Sequence, residues 1–276
     1  MWRMTDLALV TGTSSGMGMH AAVELARRGL NVVATMRDTG RADRLRDAAA
    51  EAGVQLDIRT LDVVDHAGAA RVVEEIVAEH GGIDVLVNNA GRGSVGSAEQ
   101  LSMEQIHAQL DVNYLAPVHL TKLVLPAMRE RGRGHIVTVT SVGGVVGQPF
   151  ADAYCGAKFA VEGFMQSLAA TAEHFGVHVS VIEPAAVASD FVANVSRPTD
   201  AGAYQPLLQA YQARTAGAFA NAQTPESAAQ TIADAATASE FRFRWQTSEA
   251  ASSFVGVSLA DLDGSRVSAF TRPWTS

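Results

Sequence analysis

Short apolar runs alternate with amphipathic stretches along most of the chain. Leu7-Ala8-Leu9-Val10 is the first run and predicts a buried strand. It leads into Thr11-Gly12-Thr13-Ser14-Ser15-Gly16-Met17-Gly18, then an Ala/Leu-rich helix to about Arg28 that Gly29 stops. Further strands are predicted at Asn31–Met36, Gln55–Leu61, Ile83–Val87, His135–Thr140 and Val177–Glu183. Helices are predicted at about 41–52, 66–80, 152–175 and 249–262. Ser102 and Gln105 form a capping box that opens a helix to about Glu130, with Pro117 inside it as a kink. Thr224-Pro225-Glu226 starts another helix, and Phe241–Trp245 alternates like an edge strand. The strand runs are apolar on both faces, the pattern of a parallel sheet covered by helices on each side. The fold class expected is α/β, a doubly wound parallel sheet in a single domain over 1–276. Residues 190–223 break the alternation with Phe191, Tyr204, Leu207, Leu208, Tyr211 and Phe219, and read as an inserted lid over the sheet's C-terminal edge.

Composition narrows the function. Apolar residues make up 47% of the 276, enough for a large core, and the formal net charge is −8. That balance disfavours nucleic acid and anionic membrane as partners. Cys155 is the only cysteine, so no intrachain disulfide forms and a reducing compartment fits. No apolar run reaches a membrane span, and Met1–Asp6 is too short before its acid to read as a signal peptide. A soluble, cytoplasmic protein is expected. The eight histidines show no zinc-like clustering, so no metal is expected. Cys155 reads as a small packing residue.

Candidate chemistry lies at Tyr154-Cys155-Gly156-Ala157-Lys158, with Ser141 upstream. Residues four apart share a helix face, so the phenol and the ammonium can serve one pocket. A nearby positive charge favours the phenolate, and a tyrosine tuned in this way can exchange a proton at neutral pH. Ser141 can hold a substrate oxygen. The glycine turn suits a dinucleotide, because its glycines admit the pyrophosphate and the following helix offers N–H groups.

Together, Thr11-Gly12-x-x-x-Gly16-x-Gly18, Asn88-Asn89-Ala90-Gly91, Asn113, Ser141 and Tyr154-x-x-x-Lys158 resemble the short-chain dehydrogenase/reductases over about residues 6–191. Ala34–Asp38 and Phe243–Thr247 resemble the hydroxysteroid and retinol dehydrogenase branch. The resemblance implies a Rossmann-fold, NAD(P)-dependent oxidoreductase using the pro-S hydride. By it, Tyr154 is the acid/base, and Lys158 holds the nicotinamide ribose and lowers the phenol's pKa. Ser141 orients the substrate, and Asn113 holds a relay water. The cofactor-binding positions it implies are Gly12, Ser14, Ser15, Gly16, Met17, Gly18, Asp62, Val63, Ala90 and Gly91, besides Tyr154 and Lys158. Asn88 is placed beside the adenosine ribose, and Asn89 either touches cofactor or braces the sheet.

Met36 stands where an acid would select NAD, and Arg37 follows, so NADP is the cofactor expected and NAD the alternative. Asp38 can pair with Arg37 or act as a late-placed acid. After strand six Ala185 replaces the family's usual glycine, which predicts a shifted turn. Pro184, Val187 and Ser189 supply the cofactor contacts there, Ser189 in place of a threonine. Val142, Val145, Val146, Pro149, Phe150 and the lid aromatics suggest a bulky lipophilic carbonyl or alcohol, such as a steroid, retinoid or polyketide. Gly156, Ala157 and Ala160 permit close helix contact, consistent with a homodimer or homotetramer. Carbonyl reduction is the reading these residues favour. NAD-dependent alcohol oxidation in the same site and a non-catalytic dinucleotide sensor are the alternatives.

Overall fold

Seven parallel strands form one sheet, in the order Asp57–Thr60, Asn31–Met36, Leu7–Thr11, Val85–Asn88, Gly134–Val139, Val177–Glu183 and Arg244–Gln246. The computed structural model describes residues 6–193, 195 and 201–265. The Met1–Thr5 opening, part of the expected lid and the chain beyond 265 lie outside the described residues.

The strands are β1 Leu7–Thr11, β2 Asn31–Met36, β3 Asp57–Thr60, β4 Val85–Asn88, β5 Gly134–Val139, β6 Val177–Glu183 and β7 Arg244–Gln246. Successive side chains on a strand point to opposite faces, and here both faces are buried. Ala8, Val10, Val32, Ala34, Val85, Val87 and Ile182 pack with α1 (Gly16–Arg27), α2 (Asp43–Glu51) and α9 (Pro225–Thr237). Leu7, Leu9, Val33, Leu86, Ile136 and Val179 pack with α3 (His66–His80), α5 (Ala116–Arg131) and α6 (Asp152–Ala172). Each fully buried Leu or Ile side chain contributes roughly 1.5–3 kcal/mol relative to exposure. This explains why the strand runs carry no polar alternation.

The helix expected over 102–130 is three pieces. The capping box is present, with the Ser102 hydroxyl accepting from Gln105 N and the Gln105 side chain accepting from Ser102 N, and it opens α4 at Met103–Leu110. Asp111–Leu115 is one π turn, and α5 follows. The irregularity therefore precedes Pro117 instead of sitting at it. A proline has no N–H to return to residue i−4, which here is Asn113, so the wider turn falls on that residue. Pro126 lies inside α5 as well.

Other boundaries differ for local reasons. The helix expected to reach Phe175 ends at Ala172, followed by a 3₁₀ turn and left-handed Gly176. The terminal helix, α10, is Glu249–Ser258. The alternation at 241–243 does not continue the edge strand. Phe241 stacks on His178 at 3.5 Å between ring centroids, and the Arg242 guanidinium lies 3.7 Å from the Trp245 ring centroid. Phe243 joins the core instead. Between α6 and α9 lie α7 (Asp190–Ala193) and α8 (Gln205–Ala220).

Candidate active site

A cleft of about 1400 Å³ opens at the C-terminal ends of the strands, where β1 and β4 diverge in connection. Doubly wound sheets hold their ligands at this switch point. Gly12, Ser14, Ser15, Gly16, Met17 and Gly18 line it, with Asp62, Val63, Asn89, Ala90, Gly91, Pro184, Val187 and Ser189 around the rim. Every expected cofactor position but one therefore faces one cavity. Asn88 does not: it is buried, and its amide donates to Thr138 Oγ1 at 3.3 Å. The expectation for Asn88 is corrected to a sheet contact. Asn89 braces the sheet, its amide donating to the carbonyls of Thr11 (2.9 Å) and Gly12 (3.1 Å), while still lining the cleft.

Two glycines make the turn fit a dinucleotide. Gly12 has φ +70, and a Cβ there would sit 2.8 Å from Ala90 Cα. A Cβ on Gly18 would sit 2.1 Å from Asn89 Nδ2 and 2.5 Å from the Gly12 carbonyl. The turn and the first turn of α1 are thus drawn tight against the β4 loop. Ser15, at the N-cap, makes no side-chain capping bond, and α1 has no acid in its first turn. Its first N–H groups are left for an anion.

At the other end of the cleft, Met36 closes β2, and both Arg37 and Arg41 line the wall. Asp38 does neither thing expected of it. Its carboxylate accepts from Gly40 N at 2.9 Å and caps a 3₁₀ turn at Thr39–Arg41. Among the described residues it forms no ion pair with Arg37. Arg41 was not singled out in the sequence. It reaches the cleft because that turn folds it back beside Arg37.

The floor carries the proton chemistry. Ser141, Tyr154 and Lys158 all line the cleft. Ser141 stands two residues past β5, where its hydroxyl accepts from Gly143 N at 2.9 Å and hydrogen bonds with Tyr154. The Lys158 ammonium donates to the Val139 carbonyl at 2.9 Å and lies 6.0 Å from the Tyr154 ring centroid. Burial pushes the Tyr154 phenol up to about 12, the Ser141 hydrogen bond opposing it. Burial pushes Lys158 down to about 8. The phenol is thus raised, not lowered as expected: burial outweighs the Ser141 hydrogen bond, and Cys155 adds to the rise. Asn113 is fully buried behind this floor. Its amide donates to the Arg92 carbonyl (2.8 Å) and to Gln109 Oε1 (2.9 Å), and its Oδ1 accepts from Arg92 N (3.2 Å). The side chain ties the β4 loop to the π turn.

The segment after β6 does not need a left-handed residue at Ala185; among described non-glycine residues only Phe150 has positive φ. Instead 186–188 pairs with Gln223, through Gln223 N to the Ala186 carbonyl (3.0 Å) and Ala188 N to the Gln223 carbonyl (2.9 Å). The apolar end is narrower than expected. Val142, Phe191 and Tyr211 line the cleft, but Val145 and Val146 pack with Ala251 and Val255 of α10. Phe150 packs on Tyr211 at 5.6 Å between centroids, and Phe191 on Tyr154 at 6.0 Å. Tyr204 turns away to donate to Glu99 at 2.8 Å, Leu207 is exposed and Leu208 is buried; the Phe219 side chain lies outside the described residues. Gln148, Gln212 and Asn221 also line the cleft and carried no sequence signal.

One group of metal-type donors exists among the described residues: Asp57, Glu79 and His80. Arg59 already bonds both carboxylates, so its guanidinium supplies the cation there. No described helix is long and apolar enough to cross a membrane.

The fold and this cleft define a dinucleotide-dependent oxidoreductase of the Rossmann type. The chain belongs to the short-chain dehydrogenase/reductases, whose acting groups are alcohols and carbonyls: residues 6–200 match the model described as short chain dehydrogenase. Retinol dehydrogenase 8 of Homo sapiens is 37% identical over 270 residues, covering 93% of this chain and 86% of the relative. Human 17-beta-hydroxysteroid dehydrogenase type 1 is 37% identical over 273 residues, covering 94% and 82%. A variant of actinorhodin polyketide ketoreductase solved with NADPH superposes with a TM-score of 0.76 at 29% identity, covering 89% of this chain and 97% of its own.

Proposed function

We propose that the protein is an NADPH-dependent carbonyl reductase acting on a bulky lipophilic ketone or aldehyde. One observation carries this reading. Tyr154, Ser141 and Lys158 share the floor of a cleft whose opposite wall is the glycine turn, with Arg37 and Arg41 at its far end. The relatives named above, a retinol and a hydroxysteroid dehydrogenase and a polyketide ketoreductase, support the substrate class. NADPH, when bound, supplies the hydride.

This chain's residues supply the rest. The glycine turn and the open end of α1 hold the pyrophosphate, and Lys158 and Ser189 hold the nicotinamide end. Arg37 and Arg41 hold the second phosphate by charge-assisted hydrogen bonds. Ser141 donates to the substrate oxygen. Tyr154, protonated at neutral pH by its burial, gives that oxygen its proton as a general acid. A phenol protonated at neutral pH stands in the state that reduction requires, whereas oxidation requires the phenolate. Lys158 then steadies the phenolate, and Asn113 supports the relay that reprotonates it. Phe191 and Tyr211, brought over the cleft by the 190–223 segment, serve as the lid. Self-association through α5 and α6 completes the proposal. Phe159 is 44% exposed there and Gly156 is open, but Ala157 is buried and takes no part.

The cofactor assignment has its own test. Arg37→Ala and Arg41→Ala should each lower kcat/KM for NADPH about tenfold or more, as expected for a lost charged hydrogen bond, with NADH little changed. A wild-type enzyme that strongly prefers NADH overturns the NADPH assignment.

A further inference from the structure

One helical turn beyond Lys158, a buried charged cluster lies outside the chemistry described so far. Glu162 on α6 is 4% exposed, Glu183 at the end of β6 is 0% and Arg244 on β7 is 5%. Arg244 Nη1 donates to Glu162 Oε2 at 2.8 Å and also bonds Glu183, while Gln246 Nε2 donates to Glu183 Oε2 at 2.5 Å. The other Glu162 oxygen lies 2.5 Å from Thr140 Oγ1, which is itself 3.0 Å from the Ile182 carbonyl. Thr140 immediately precedes Ser141.

A hydroxyl can donate or accept. The Ile182 carbonyl already accepts from Thr140 N at 2.7 Å, so it makes no claim on the Thr140 proton. Both Glu183 oxygens face groups that only donate, Arg244 Nη1 and Gln246 Nε2, and Glu162 Oε2 faces Arg244 Nη1 as well. Glu162 Oε1, facing the Thr140 hydroxyl, is therefore the one oxygen of the two carboxyl groups that can carry a proton and donate it. Charge calls for such a proton, because two buried carboxylates face one guanidinium. A protonated Glu162 leaves Glu183 and Arg244 as a neutral pair. Burial, joined by the Glu183 charge and opposed by Arg244, pushes the Glu162 carboxyl up to about 8. Lys158 and Tyr154 share its helix. Asp261 and Asp263 lie in the segment over β7; Asp263 offers Arg244 N its carbonyl and turns its carboxylate to Ser265 N. Glu249 at the start of α10 is exposed.

We propose that Glu162 is a positioning residue working as a neutral carboxylic acid, tying the strand end that carries Ser141 to the helix that carries Tyr154 and Lys158 without setting a net negative charge beside the Lys158 ammonium. Its link to catalysis rests on the function proposed above; its protonation state does not.

Glu162→Gln keeps a donor toward Thr140 and an acceptor toward Arg244, and cannot ionise. An unfolded Glu titrates near about 4.3, so between about pH 5 and 8 the native state holds a proton that the unfolded state has released. Stability of the wild type therefore falls with rising pH across this window relative to the variant. The Tm of Glu162→Gln should exceed that of the wild type by a margin that grows from pH 5 to pH 8 and then levels. A variant destabilised most at pH 8 means an ionised Glu162–Arg244 pair and overturns the proposal. In activity, Glu162→Gln should keep kcat and KM within about threefold, whereas Glu162→Ala should lower kcat about tenfold or more at unchanged cofactor Kd. Should Glu162→Gln not fold, infrared spectroscopy of the wild type reads the group directly. A protonated carboxyl band at pH 7 that converts to carboxylate near pH 8 supports the assignment, and its absence overturns it. If the Tm margin behaves as stated but no variant or wild type reduces any ketone, the neutral acid stands and the proposed function falls.

Discussion

Tyr154→Phe should lose about 10²–10⁴ in kcat, the usual worth of a positioned general acid, while binding NADPH with nearly unchanged Kd. The substitution removes one oxygen and leaves the ring that packs on Phe191. The hydrogen bond with Ser141 goes, but Ser141 still has Gly143 N as a partner. The fold should therefore hold, and circular dichroism and Tm should match the wild type. The raised phenol pKa adds a sign. As an acid, Tyr154 stays protonated up to about 12, so reduction should persist well into alkaline pH. Oxidation of the product alcohol needs the phenolate and should rise with pH over the same range. Steady-state pH profiles in both directions check this; equal activity of Tyr154→Phe would end the mechanism.

Lys158→Met should damage both cofactor binding and turnover, and it should do so in a protein that is no less stable. Lys158 is buried, and burial pushes its pKa down to about 8, below the unfolded value. Between those two values the unfolded chain holds more protons, so the wild type gains stability as pH rises through that window. The desolvation cost of the ammonium is thus fully present at pH 7. Methionine fills similar space without a charge to desolvate, though it gives up the bond to the Val139 carbonyl. The cofactor-free variant should match or exceed the wild-type Tm at pH 7, and its advantage should shrink toward about pH 10. Its kcat/KM should fall at least about a hundredfold. A variant with lowered Tm and intact NADPH binding would place Lys158 in the scaffold rather than the site.

Much of this was legible because its signals are local. The glycine turn, Tyr154-x-x-x-Lys158 and the Ser102–Gln105 cap each depend on residues a few positions apart, whose geometry a single turn or helix dictates. The strand runs were legible for a similar reason: burial on both faces leaves no room for polar alternation. What escaped depends on distant partners. Glu162 looks like any helix glutamate until Thr140 just past β5, Glu183 of β6 and Arg244 of β7 converge around it. Arg41 enters the cleft only because Asp38 caps a 3₁₀ turn, which also removes Asp38 from its expected pairing. The kink expected at Pro117 falls instead as the π turn at 111–115, since Pro117 disturbs the partner four positions before it rather than itself. Asn88 reads as a cofactor position only through its place beside Asn89, Ala90 and Gly91; strand alternation points its side chain into the sheet toward Thr138.

The most direct test is turnover of a panel of steroid-, retinoid- and polyketide-like ketones, followed by loss of NADPH absorbance, with wild type and Tyr154→Phe side by side. At least one ketone should be reduced by the wild type, faster with NADPH than with NADH, and the variant should bind NADPH yet reduce none at a comparable rate. Tight NADPH binding with no ketone reduced and no corresponding alcohol oxidised would contradict the account.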